Sequence, residues 1–195
     1  AVPHAKPTRS SGYVPDWVSL FAGVGMMALL GLVIDPGDHP IEPQTFGVLA
    51  GLGYLLGFVV AELRFPDLVA HLFAFVAGLF ASMFAVEPDL TLAQIRSGEV
   101  VDLARRNWAN LETIFFAIRD NEWLPHEIAM TWIALTLWLV GYASAWMLFR
   151  RNWYVWAVAL PATVLLTSLA LDRDQDVWPA LGFTGLAIVQ GVAST

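Results

Sequence analysis

Long apolar blocks separated by short polar punctuation organise this chain. Six blocks, at about 17–34, 45–61, 68–86, 128–149, 153–171 and 177–195, carry almost no charge inside them. Each has about the length that crosses a bilayer as a helix, roughly 20 residues. Strand-like alternation of apolar and polar positions is absent, which argues against an outer-membrane barrel. The pattern predicts an all-α fold, a polytopic membrane bundle of about six transmembrane helices over residues 15–195. A polar, flexible tail is expected at 1–14.

The punctuation fits helix ends. Pro15-Asp16 is a plausible start for the first span, and Asp35-Pro36-Gly37-Asp38 is a strong stop after it. Residues 62–67 leave room only for a tight hairpin between the second and third spans. Arg150-Arg151 caps the fourth span, and the fifth follows within a few residues. Pro161 lies inside the fifth, where a membrane helix tolerates it as a kink. The sixth span is still apolar at Thr195, the pattern expected of a chain that runs on. In the second span Gly47 and Gly51, and again Gly53 and Gly57, stand four apart. That spacing lets helix backbones approach closely, so these four are the expected helix-packing residues.

Residues 87–127 form the one long polar interruption. Within it Val101, Ala104, Trp108, Leu111, Phe115 and Ile118 recur at intervals of three and four, an amphipathic helix with charge on its other faces. Such a helix either lies in the headgroup plane or packs over the bundle, with these six residues as its docking stripe.

Composition sharpens the class. The chain is 57% hydrophobic and 14% charged, against about 25% charged in ordinary soluble domains. The nine Trp fall mostly near block ends, where amphipathic rings favour the headgroup region. With no Cys, disulfides, thiolate metal sites and cysteine nucleophiles are all excluded from this stretch. With the N-terminus inside, the inner segments hold Lys6, Arg9, Arg64, Arg150 and Arg151, and the outer ones Arg96, Arg105, Arg106, Arg119 and Arg173. The tally is level, but four of the outer five sit in the one long segment, and short loops carry the orientation signal. A cytoplasmic N-terminus is therefore expected.

Candidate chemistry is sparse. Ionisable groups inside spans are costly and are functional suspects by default. His71, about one turn into the third span, has Asp67 four residues before it on the same helix face. The pair is the one weak proton or ligand candidate; the alternative is an interfacial His bonded to Asp67 or to a backbone carbonyl. His39 with Asp35, Asp38 and Glu42 offers oxygen and imidazole ligands at no spacing typical of a metal site, and a structural loop is the simpler reading. Trp132, Trp138, Tyr142 and Trp146 run down the fourth span, as a quinone or pigment wall or as lipid-facing packing. Arg105-Arg106 beside Trp108 is read as a solvated helix face. No catalytic residue, no metal, no cofactor and no nucleic-acid motif emerges.

The stretch Trp138-Leu-Val-Gly-Tyr-Ala-Ser-Ala-Trp-Met-Leu-Phe-Arg-Arg-Asn-Trp, continuing through Ala159-Leu-Pro-Ala-Thr-Val-Leu-Leu, resembles a known family. It is similar to the N-terminal membrane domain of bacterial transglutaminase-like membrane proteins of the TgpA type. Gly141 to Pro161 is the distinctive part, and the layout of spans matches along nearly the whole chain. The resemblance implies a bacterial cytoplasmic membrane location and a parent protein whose extracytoplasmic domain, beyond this stretch, uses a Cys-His-Asp triad on glutamine amides. It implies as partners that downstream domain, a MoxR-type ATPase and a von Willebrand-type protein, besides the lipid bilayer. On this reading the stretch is a non-catalytic anchor and scaffold. The alternatives are a stand-alone structural subunit of a membrane complex and, with fewer features in its favour, a small-solute transporter.

Overall fold

The computed structural model describes residues 16–34, 41–63, 65–86, 97, 100–120, 126–171 and 178–194. Among these residues there are seven helices and no strand. They are α1 (Asp16–Gly31), α2 (Pro43–Leu63), α3 (Asp67–Val86), α4 (Val100–Asp120), α5 (His126–Arg151), α6 (Tyr154–Leu171) and α7 (Trp178–Ser194). α2, α3 and α5 are long and apolar enough to cross a membrane. α1, α6 and α7 are equally apolar but shorter. The first apolar block yields less helix than its length suggests: α1 stops at Gly31, and Val33 and Ile34 N–H groups reach the Leu30 and Gly31 carbonyls at 3.3 Å in a closing turn.

α2 and α5 share the most extensive contact and form the centre of the bundle. The reason is steric. A β-carbon on Gly53 would overlap the Trp138 carbonyl, one on Gly57 the Tyr142 carbonyl, and one on Gly141 the Ala50 carbonyl. Three glycines thus remove the side-chain layer that normally separates two helices, and the backbones meet directly. In an apolar solvent, where burying methyl groups gains little, close van der Waals approach is what holds helices together.

The second-span glycines divide between two neighbours. Gly47 faces α1, where its β-carbon would lie 2.7 Å from the Ala28 carbonyl, while Gly53 and Gly57 face α5. Gly51 meets only the Val24 side chain, at an ordinary 3.8 Å. α1 in turn packs on α7, α3 on α5, and α6 on α5. Met26, Met27, Leu30, Phe46, Leu135 and Leu137 fill the interior and are buried.

The outside of the bundle is apolar too. Leu52 and Val59 on α2, Leu68 and Phe73 on α3, Val155 on α6 and Ile188 on α7 are all exposed. Apolar surface spread over this many helices exceeds what a protein in water leaves uncovered. It suits a bilayer, whose tails are as apolar as the side chains. Trp17, Trp153 and Trp178, each at or beside a helix start, are exposed, a placement that suits amphipathic rings at a membrane interface.

α5 hands over to α6 through a single residue with positive φ, Asn152 at 57°. Its N–H reaches the Leu148 carbonyl at 3.1 Å, and that of Trp153 reaches Met147 at 2.9 Å. Asn tolerates this left-handed conformation better than most residues with a β-carbon, so the helix ends here and the chain reverses at once.

α4 covers the segment where the amphipathic stripe is expected. Of its six stripe residues, Val101 and Trp108 have described side chains, and both are exposed; the side chains of Ala104, Leu111, Phe115 and Ile118 lie outside the described set. Trp108 donates its indole N–H to Glu112 at 2.7 Å, and Arg105 pairs with Asp102 at 2.8 Å. Arg119 clasps Asp120 through two hydrogen bonds of 2.7 and 2.8 Å and so holds that carboxyl below the usual carboxylate range.

Candidate functional site

Two polar groupings stand out in an otherwise apolar bundle. The first is buried where α1, α2 and α7 meet. Gln190 and Tyr54 are each about 1% exposed. The Gln190 amide nitrogen donates to the Tyr54 hydroxyl at 2.6 Å and to the Ser19 carbonyl at 3.3 Å. The Gln190 amide oxygen has no partner among the described residues. Gly23 makes the arrangement sterically feasible, because a β-carbon there would overlap the Tyr54 ring. An amide hydrogen bond between helices is one of the few directional forces available in hydrocarbon. It ties the last helix to the first two.

The second grouping lies at the end of the α3–α5 seam. The sequence placed His71 and Asp67 on one face of α3 as a possible pair. The structure gives them different partners. Asp67 accepts from Arg151 at 2.7 Å and stands 3.6 Å from Arg150, so the α2–α3 turn is tied to the α5–α6 turn. His71 Nδ1 lies 2.9 Å from the Tyr142 hydroxyl. Its ring meets Trp146 edge-on with centroids 4.8 Å apart, and the Arg151 guanidinium stacks over the same indole at 5.0 Å. The chain of contacts is therefore Tyr142, His71, Trp146, Arg151, Asp67.

Further along the seam, the Trp138 indole donates to the Ala74 carbonyl at 3.0 Å, while Gly78 leaves room for its ring. Of the aromatic run expected on the fourth span, Trp138, Tyr142 and Trp146 thus line up against α3. A packing and hydrogen-bonding role accounts for each.

Among the described residues no three His, Cys, Asp or Glu side chains come close enough to hold a metal. Asp35, Asp38 and His39 of the first loop lie outside the described residues, as do the side chains of His126 and Glu127. Sequence reasoning missed Gln190. Its signal was an uncharged amide near the end of an otherwise apolar block, which a search for ionisable groups passes over. The Asp67 tie to Arg150 and Arg151 spans 84 residues at its tighter contact and leaves no local trace. Comparison with known proteins yields no match: no family model, no curated protein and no solved structure.

Proposed function

We propose that this chain is a non-catalytic membrane anchor and scaffold with six spans and a cytoplasmic N-terminus. On this reading it is the membrane domain of a transglutaminase-like protein whose catalytic domain lies outside the stretch. One observation carries the scaffold reading: three polar groupings each join one helix or turn to another. Gln190, Tyr54 and Ser19 join three helices, Trp138 and Ala74 join two, and Asp67 with Arg150 and Arg151 joins two turns. A transporter keeps embedded polar groups facing a pathway; here the Gln190 amide nitrogen, the Tyr54 hydroxyl and the Trp138 indole are engaged by neighbouring helices.

The transglutaminase-like assignment rests on the segment from Trp138 to Pro161. That segment is also the hub of the bundle: Trp138 and Tyr142 meet α3, Gly141 meets α2, and Arg150 and Arg151 hold Asp67. α1, α6 and α7, though shorter than a full crossing, complete six spans with the aid of their flanking turns and a locally thinned bilayer.

The test has two parts. The chain contains no Cys, so single cysteines at Asn152 and Thr113 can be labelled by an impermeant maleimide in closed, oriented vesicles. The expected result is Asn152→Cys protected from outside and Thr113→Cys labelled. The native reading frame is then read beyond Thr195. A further span followed by a domain with a Cys-His-Asp triad supports the enzyme anchor, and a frame that stops there makes a free-standing structural subunit the better account.

A further inference from the structure

At the end of the α3–α5 seam two arginines share one ion-pairing carboxylate among the described residues. Arg150 and Arg151 share one carboxylate, Asp67, and all three are only partly covered, at 29%, 47% and 40% exposure. Each guanidinium presents five N–H donors, and one carboxylate cannot satisfy two such forks. Glu62, exposed at the end of α2, is the other described acid near this end, and the ion pairs of both arginines among the described residues are with Asp67. His71 adds a ring whose Nδ1 is engaged by Tyr142, leaving Nε2 as its remaining polar atom.

Aromatic and aliphatic side chains are exposed on the elements that carry these charges. Trp146 sits directly beneath Arg151, while Trp153, just before α6, and Trp156, in its first turn, are both exposed. Along α3 from Asp67, Leu68, Leu72, Phe73 and Val76 are all exposed, Leu68 by 80%. Guanidinium, indole and aliphatic side chains are the complements of a phospholipid's phosphate, glycerol ester region and acyl tail.

We propose that this end of the bundle binds one anionic phospholipid. Its phosphate sits on Arg150 and Arg151, its glycerol region against Trp146 and His71, and an acyl chain along Leu68, Leu72 and Val76. Arginine suits the task because its planar fork matches two phosphate oxygens at once. Asp67 acts as a tether that holds both guanidiniums in place, at the cost of some attraction for the phosphate. A soluble phosphate would gain the ionic contact but not the apolar face, and with Asp67 present the ionic contact alone is weak in water. The inference rests on the membrane reading above only in placing this end of the bundle at headgroup level.

The experiment uses the full chain in detergent, offered equal phosphatidylglycerol and phosphatidylcholine, with bound lipid read by native mass spectrometry. Preference for phosphatidylglycerol by about tenfold is expected, from two cations near a membrane surface. R150Q/R151Q is expected to lose the preference while keeping its helicity, and Asp67→Asn to keep or raise it. Should the double variant fail to fold, Arg151→Gln alone is expected to lower the preference. Equal retention of the two lipids, or a preference that survives R150Q/R151Q or Arg151→Gln, overturns the proposal. So does displacement of phosphatidylglycerol by millimolar inorganic phosphate, which would make a soluble anion the ligand. Labelling of Asn152→Cys separates the two readings: correct sidedness with no lipid preference removes this inference alone, and wrong sidedness removes the topology.

Discussion

The Trp138 carbonyl occupies the space that a β-carbon on Gly53 would need. Two backbones 85 residues apart in sequence therefore touch with nothing between them, and the centre of the bundle depends on a hydrogen atom being the side chain. Gly53→Ala is expected to force α2 and α5 apart and to cost about 1–3 kcal/mol, as overpacking does. Gly185, which has open space around it, is the control: Gly185→Ala should be neutral or stabilise slightly through helix propensity. Thermal unfolding in detergent, followed by circular dichroism, compares them. Equal melting of the two variants would contradict the close approach.

The Gln190–Tyr54 bond crosses from the last helix to the second. Gln190→Leu, Tyr54→Phe and the double variant form a cycle whose coupling is expected at about 0.6–1.7 kcal/mol, the range of interhelical hydrogen bonds in membranes. Gln190→Leu removes the unpartnered amide oxygen, which offsets part of the cost of leaving the buried Tyr54 hydroxyl without its donor. A coupling indistinguishable from zero would show that the two groups do not meet.

Asn152 reverses the chain with φ at 57°. Asn152→Gly should leave stability within a few tenths of a kcal/mol, since glycine adopts this conformation freely. Asn152→Val, β-branched and poorly suited to positive φ, is expected to cost about 1–2 kcal/mol. Both are read by thermal melting; the prediction fails where valine matches glycine.

Trp108 is exposed on α4 and bonded within its own helix to Glu112. Trp108→Asp should therefore leave bundle melting in detergent unchanged within about 0.5 kcal/mol. In vesicles it should make the segment around α4 easier to cleave by added protease, because the ring no longer anchors the helix in the headgroup plane. Unchanged protease resistance would count against an interfacial α4.

Helix positions were legible in the sequence because each depends on a local run of apolar residues. The stripe over 101–118 and the six apolar blocks each hold a helix, displaced at their ends by a few residues. Close packing was legible in part: glycine spacing marks a face, yet cannot tell that Gly47 turns to α1 while Gly53 and Gly57 turn to α5. The pairing of His71 with Tyr142, and of Asp67 with two arginines, was not legible at all. Helical spacing put His71 beside Asp67 because i and i+4 share a face, but the neighbouring helix offers each a better partner. Only the way α3 lies on α5 decides that.

The contact between α1 and α7 has a consequence for biogenesis. The ribosome delivers α1 first and α7 last of these helices, yet Ser19 and Tyr54 meet Gln190 only once both have been made. Until then α1 and α2 present that surface to their surroundings or to whatever factor shields it. The order in which the helices leave the ribosome is thus not the order in which their contacts close, and a nascent chain arrested before residue 178 would hold its first two helices with the third member of their polar junction still unmade.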